Sequence, residues 1–258
     1  MEWAMNTAAL ISNDWFFLLL IALVFWSVDK HLSIKLLIIF ALSTYTNHFL
    51  HHTIPTPSSD AVSSVLPPKD VQIATAFWGF LIPEISDKRY TLLACLLIAA
   101  LSFTEMQYGG YSVQDVIVAI LLGSFFVYLI YRSDWISSVP QPIIFSFTMV
   151  IPSALLLLFP EGAYYAGLLL GGGIGYNMEL IKNRMQFATV MWKRGITCII
   201  GISGLFVIAY LNIFFAPTTL FSFVHAILIG LWLTLLLPIL SVKTGLYRQS
   251  HVTKHLMH

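Results

Sequence analysis

The chain has 258 residues, of which 58% are hydrophobic and only 10% charged, with a formal net charge of +1 and a mean hydropathy of +0.84. A soluble domain carries about 25% charged residues, so this chain has too little polar surface to face water and needs lipid as its solvent. The near-neutral balance excludes a nucleic-acid partner. Cys95 and Cys198 both lie inside apolar runs, where they read as small buried hydrophobes rather than as a disulfide or metal site.

A membrane-spanning helix needs about 20 apolar residues. Nine such runs follow one another, roughly at 9–28, 32–50, 71–86, 90–105, 112–131, 141–159, 162–180, 195–214 and 219–241. The first has Asp14 near its start and no Lys or Arg before it, so no cleavable signal peptide is expected. The third and fourth are short and are separated only by the charged turn Asp87-Lys88-Arg89. Two helices, or one broken hairpin, fit that pattern. The seventh carries Gly167, Gly171 and Gly175 at four-residue spacing, which lets helices approach closely in lipid. Glu179, at the end of that run, reads as an interface residue. The fold expected is all-α: a polytopic integral membrane helical bundle forming one membrane domain over 1–258.

Positive charge sets the orientation. Lys30, Lys35, Lys88, Arg89, Arg132, Lys182, Arg184, Lys193, Arg194, Lys243, Arg248 and Lys254 all fall in alternate connections or the tail. They are 12 of the 13 basic residues; the opposite side holds Lys69 alone. Basic residues stay cytoplasmic, so the N-terminus is expected outside and the C-terminus inside. The other side is acidic, with Glu2, Asp14, Asp60, Asp70, Glu105, Asp115 and Glu161 on it or near it. Charged groups at membrane depth are functional candidates by default.

The longest connection, 51–70, is rich in proline and serine and reads as irregular. It ends in Pro67-Pro68-Lys69-Asp70-Val71-Gln72 and runs into the third span. A second stretch, Thr104-Glu105-Met106-Gln107-Tyr108-Gly109-Gly110-Tyr111-Ser112-Val113-Gln114-Asp115-Val116, opens the fifth. Together they resemble two motifs of the type 2 phosphatidic acid phosphatase superfamily of membrane lipid phosphatases, P-S-G-H and S-R-x5-H-x3-D. The third family motif, K-x6-R-P, would fall near Asn47, His48, His51, His52, Thr56 and Pro57. The resemblance covers roughly 32–180 and leaves extra spans at about 195–241.

In that family the two histidines and the basic residues perform phosphoryl transfer. Carried onto this chain, Asp70 stands where the first His would be, Glu105 where Arg would be, and Tyr111 where the nucleophilic His would be. Only Asp115 matches. No Arg precedes Arg89, so the arginine of the remaining motif is missing as well. Phosphate sites are built from forked, positive donors, and acids in their place repel a phosphate dianion. A phenol, with a pKa near 10, is also a poor replacement for imidazole. The resemblance therefore implies the phosphatase fold without its phosphohistidine chemistry.

Local structure accounts for some of these acids. Ser112 and Asp115 are spaced as a capping box. Asp70 suits the positive end of a helix dipole, whereas Glu105 closes a helix at its negative pole. The expected ligand-binding residues are His48, His51, His52, Lys69, Asp70, Glu105, Tyr111 and Asp115. No cofactor is expected, the alternative being a divalent cation held by the imidazoles and carboxylates. The function expected is a catalytically degenerate, lipid-phosphatase-like protein that binds a membrane lipid or polyprenyl carrier, or serves another envelope membrane protein as a subunit. A bacterial inner membrane is the expected location. A diverged phosphatase or transferase using the acids, and a transporter, are the other classes the sequence leaves open.

Overall fold

The computed structural model describes residues 13–54, 66–133, 140–211 and 218–249. Glu2, Thr56, Pro57, Asp60, Lys254 and most of the 51–70 connection lie outside the described residues. The helices are α1 (Asp14–Ser27), α2 (Lys30–Thr53), α3 (Lys69–Ile85), α4 (Lys88–Tyr108), α5 (Val113–Arg132), α6 (Gln141–Leu158), α7 (Ala163–Met178), α8 (Met191–Tyr210), α9 (Thr219–Leu231) and α10 (Leu237–Lys243). A π turn, Trp232–Leu236, joins α9 to α10. Four of the resulting rods are long and apolar enough to cross a membrane: Lys88–Tyr108, Val113–Arg132, Met191–Tyr210 and Thr219–Lys243.

Local chemistry sets the boundaries. The Asp29 carboxylate accepts from the His31 and Leu32 amides (2.6 and 3.2 Å) and opens α2. Ser86 turns into the left-handed region at φ 54°, and the Asp87 carboxylate accepts from the Arg89 amide at 2.9 Å. The charged turn thus ends α3 and caps α4, giving two helices (a broken single hairpin is not what forms). Ser112 and Asp115 make the capping box expected at the start of α5.

The chain divides into two compact units. The first takes residues up to Leu18 and from Lys35 to Pro140. Its core holds Phe17, Leu36, Leu37, Ile39, Phe40, Ile73, Phe77 and Phe80, all fully buried. Helix α3 packs on α4 and on α5. A Cβ on Gly123 of α5 would lie 2.7 Å from the Gln72 carbonyl oxygen and from Thr75 Cβ, so only glycine allows this approach. Cys95 of α4 is exposed, which corrects the expectation that it is buried.

The second unit takes residues 19–34 and 141 onward. Here α7 crosses α9 at the glycines, as their spacing predicts. A Cβ on Gly171 would strike the Ile227 carbonyl oxygen and lie 2.8 Å from Ile227 Cα. At one end of this unit, the buried Trp26 indole donates to the Leu233 carbonyl inside the π turn (2.8 Å), and Tyr247 Oη donates to the Trp26 carbonyl (2.6 Å). Glu179 is fully buried there, bonded to Lys30 Nζ at 3.0 Å and to the Met185 amide at 2.7 Å. It is therefore one half of a buried ion pair rather than a solvated residue. A π turn over Glu179–Asn183 carries the chain into a two-residue strand, Met185–Gln186, paired antiparallel with Arg248–Gln249. That ribbon is a small addition to the all-α expectation.

Candidate functional site

At the other end of α2, the first unit gathers a set of polar groups. The Asn47 amide donates to the Pro67 carbonyl (2.8 Å) and to Gln72 Oε1 (3.0 Å). The Gln72 amide in turn donates to the Ser43 carbonyl at 2.9 Å. His51 Nε2 lies 2.9 Å from the same Pro67 carbonyl. On the far side, the Leu66 amide donates to Asp115 Oδ1 at 2.9 Å. Buried amides such as these are costly unless paired, and here each bond fixes the segment that leads into α3. Two prolines supply no amide hydrogens of their own, so their carbonyls are the natural anchors.

Lys69 and Asp70 follow directly. Lys69 Nζ pairs with Asp14 Oδ1 at 2.8 Å, with both side chains partly exposed. His48 is exposed on α2, within electrostatic reach of Lys69, Asp14 and His51. On the other flank, the Asp70 and Glu105 side chains are hydrogen-bonded to each other. Such a bond between two carboxyl groups needs one proton between them. The Tyr111 hydroxyl sits in the field of Glu105, Asp70 and Asp115; burial and then those three acids push its pKa above the ordinary phenol value. Gly110 precedes it at φ +73°, a conformation that favours glycine and lets the chain turn back over the end of α4.

The structure thus brings Asp70, Glu105, Tyr111 and Asp115 into one cluster, and Lys69, His48 and His51 into an adjoining one. His52 is exposed on the last turn of α2. Asp115 is the most fully engaged of the acids. Besides Leu66, it accepts from the Ser112 amide and from Ser112 Oγ, both at 2.7 Å, so its role is architectural. Among the described residues, no group of three His, Cys, Asp or Glu side chains converges to hold a metal ion. The sequence reading missed Asp14 as the partner of Lys69, because the two lie far apart in the chain. It also missed Asn47 and Gln72 as a linked pair, although amides inside apolar runs were a usable signal.

The chemistry available is that of a carboxyl pair beside a phenol, with the nearby lysine already held by a carboxylate. Such a site attracts cations and donates or accepts single protons. It offers no forked guanidinium for a phosphate. Comparison with known families bears on the other unit. Residues 163–249 match the family described as PAP2 superfamily phosphatase, transmembrane extension. Over that stretch the chain is similar to the PAP2 superfamily, and the match supports the family resemblance. It runs from α7 to the terminal ribbon, taking in the two spans that the sequence reading set outside the phosphatase-like core, and it does not reach the motif-like stretches at 67–72 and 104–116. Neither a curated protein nor a solved structure matches the chain.

Proposed function

We propose that this PAP2-like membrane protein has lost phosphoryl transfer and uses the acid-lined end of its first unit to bind a membrane lipid or polyprenyl carrier, alone or as the subunit of another envelope membrane protein. The observation that carries this reading is the Asp70–Glu105 carboxyl pair, standing where the family pattern has a histidine and an arginine. A phosphate monoester entering here meets net negative charge, and Coulomb repulsion grows as the dielectric falls. Tyr111, whose pKa is raised by burial and then by the same acids, is a weak nucleophile at neutral pH.

The accompanying topology is nine crossings with the acidic end outside, in a bacterial inner membrane. It is supported by the convergence of Lys30, Lys193 and Arg194 at one polar end of the second unit. Lys193 Nζ reaches the Gly245 carbonyl at 3.2 Å, and Arg194 reaches the Ala188 and Ser27 carbonyls at 2.7 and 3.0 Å. Basic groups gathered at one helix-bundle end fit the cytoplasmic side.

The test is phosphate release by purified protein from phosphatidic acid, phosphatidylglycerol phosphate and undecaprenyl pyrophosphate, with and without divalent metals. An active superfamily member serves as positive control. Release no greater than that of an Asp70→Ala/Glu105→Ala variant is expected. Release that this variant abolishes would establish an acid- or metal-based enzyme instead.

A further inference from the structure

The ribbon end of the second unit carries positive charge without matching acid. Lys182, Arg184, Lys193, Arg194, Lys243 and Arg248 lie on its turns and helix ends, and local contacts hold them together. Gln186 pairs with Arg248 across the ribbon, and Gln249 Nε2 donates to the Lys182 carbonyl at 2.9 Å. Lys193 Nζ donates to the Gly245 carbonyl at 3.2 Å. Helix α10, whose last turn carries Lys243, packs on the first ribbon strand. The Arg194 guanidinium stands 5.9 Å from the Phe187 ring, one residue after that strand.

The acids at this end, Asp29 and Glu179, are both engaged. Asp29 accepts from two amides of its own helix, and Glu179 is the partner of Lys30. Among the described residues, no carboxylate pairs with any of the cations named above. Backbone carbonyls take up N–H groups of Arg184, Lys193 and Arg194, but a neutral acceptor leaves the net charge in place. Helix α8 adds to it. This 20-residue helix starts after Val190 with no side-chain cap, so the positive pole of its dipole lies at the same end.

The start of α8 also fixes the depth. Met191–Tyr210 is long and apolar enough to cross a membrane, so its first residues lie where hydrocarbon gives way to headgroups. Met191 and Trp192 are 77% and 60% exposed there, and Trp is a residue of the bilayer interface. Trp192, Ile196 and Ile199 are all exposed, and their spacing puts them in one stripe along α8. Lys193 Nζ lies 5.9 Å from the Trp192 ring, so the apolar stripe and the charged set meet at adjacent residues. An acidic protein would satisfy the charge alone, whereas a molecule that matches charge and stripe together has an anionic head on an apolar chain.

We propose that this end of the second unit binds an anionic phospholipid, with the headgroup phosphate among Lys182, Lys193 and Arg248 and an acyl chain along Trp192, Ile196 and Ile199. The site belongs to the second unit alone and is independent of what the acid cluster of the first unit does. A phosphate gives the lysines and the arginine charge-assisted acceptors. Each basic group near an anionic lipid surface contributes about fivefold in affinity. A zwitterionic lipid gains less, because it brings its own ammonium up to the same cations.

The experiment uses the full chain in nanodiscs doped with phosphatidylglycerol or phosphatidylcholine carrying identical diazirine chains, and labelled peptides are mapped by mass spectrometry. Labelling of residues 191–206 by the glycerol lipid is expected to exceed that by the choline lipid by about tenfold, between the effects of one and two basic groups. Lys182→Gln/Lys193→Gln/Arg248→Gln should remove the preference. Lys182 and Arg248 are exposed, and a melting curve matching the parent's shows that the variant is folded. Lys88→Gln/Arg89→Gln/Arg132→Gln, which removes as many exposed charges from the first unit, should leave the preference intact. Equal labelling of the parent by the two lipids would overturn the proposal, and that comparison needs no variant. So would a preference that survives the first variant, one that the second variant abolishes as well, or crosslinks from this stripe to another protein instead of lipid.

Discussion

Lys30→Met should be among the most destabilising single changes in the second unit. Glu179 is fully buried, and Lys30 keeps only 17% of its side chain exposed. Lys30 Nζ donates to both Glu179 oxygens, at 3.0 and 3.2 Å, and to the Met185 carbonyl at 2.7 Å. Methionine matches the length of the stem but supplies no donor. Glu179 would then retain the Met185 amide and a carboxylate in an apolar surround. Stranding one member of a buried ion pair costs about 3–5 kcal/mol; the partial exposure of Lys30 favours the lower figure. For a unit of this size that corresponds to a fall in Tm of about 6–12 °C, read by thermal unfolding in detergent. The double variant Lys30→Met/Glu179→Leu removes the stranded charge and should recover most of the loss. A drop below about 1 kcal/mol for Lys30→Met, or a double variant no better than the single, would refute the reasoning.

Gly171→Leu should separate α7 from α9 and cost at least the 1–3 kcal/mol typical of overpacking, because the obstacle is the Ile227 backbone; the same unfolding assay reads it. Gln72→Leu strands the Asn47 amide and the Ser43 carbonyl inside the first unit, with an expected loss of about 1–3 kcal/mol. Ser112→Ala removes the hydroxyl that caps α5 and a donor to Asp115, for about 1 kcal/mol. Tyr111 has its pKa raised in the folded state, so its contribution is complete below the ordinary phenol pKa of about 10 and is lost as the pH rises beyond it. Melting curves taken between about pH 8 and 11 should fall more steeply for the parent protein than for Tyr111→Phe, and parallel curves would contradict the placement of the three acids around that phenol.

Much of the helical framework was legible because apolar runs separated by charge carry their own punctuation. The Asp87 cap, the Ser112–Asp115 box and the glycine stripe each depend on residues within one turn or one helix face, so spacing alone identifies them. Lys30 and Glu179 were not legible as a pair. They are separated by most of the chain, and a glutamate next to an inner turn looks like a solvated residue until the fold buries it. The same holds for Lys69 with Asp14. The π turn at Trp232–Leu236 left no trace in the apolar pattern, since the run around it is mostly apolar and leaves little polar face whose phase could shift. Cys95 misled for a related reason: in lipid, an apolar position need not be an interior one.

The acid cluster is where sequence and structure constrain each other most tightly. The motif-like stretches alone gave three substitutions of unlike chemistry and one match, and nothing in the spacing required those side chains to meet. The fold brings them together through bonds that do not involve the acids' own reactivity: Asn47 and His51 on the Pro67 carbonyl, and Asp115 on the Leu66 amide. Asp70, Glu105, Tyr111 and Asp115 are thus assembled at one end of the first unit, with three acids around one phenol. Holding the partly buried Asp70 against the partly buried Glu105 costs stability, because like charges disfavour each other's ionised form.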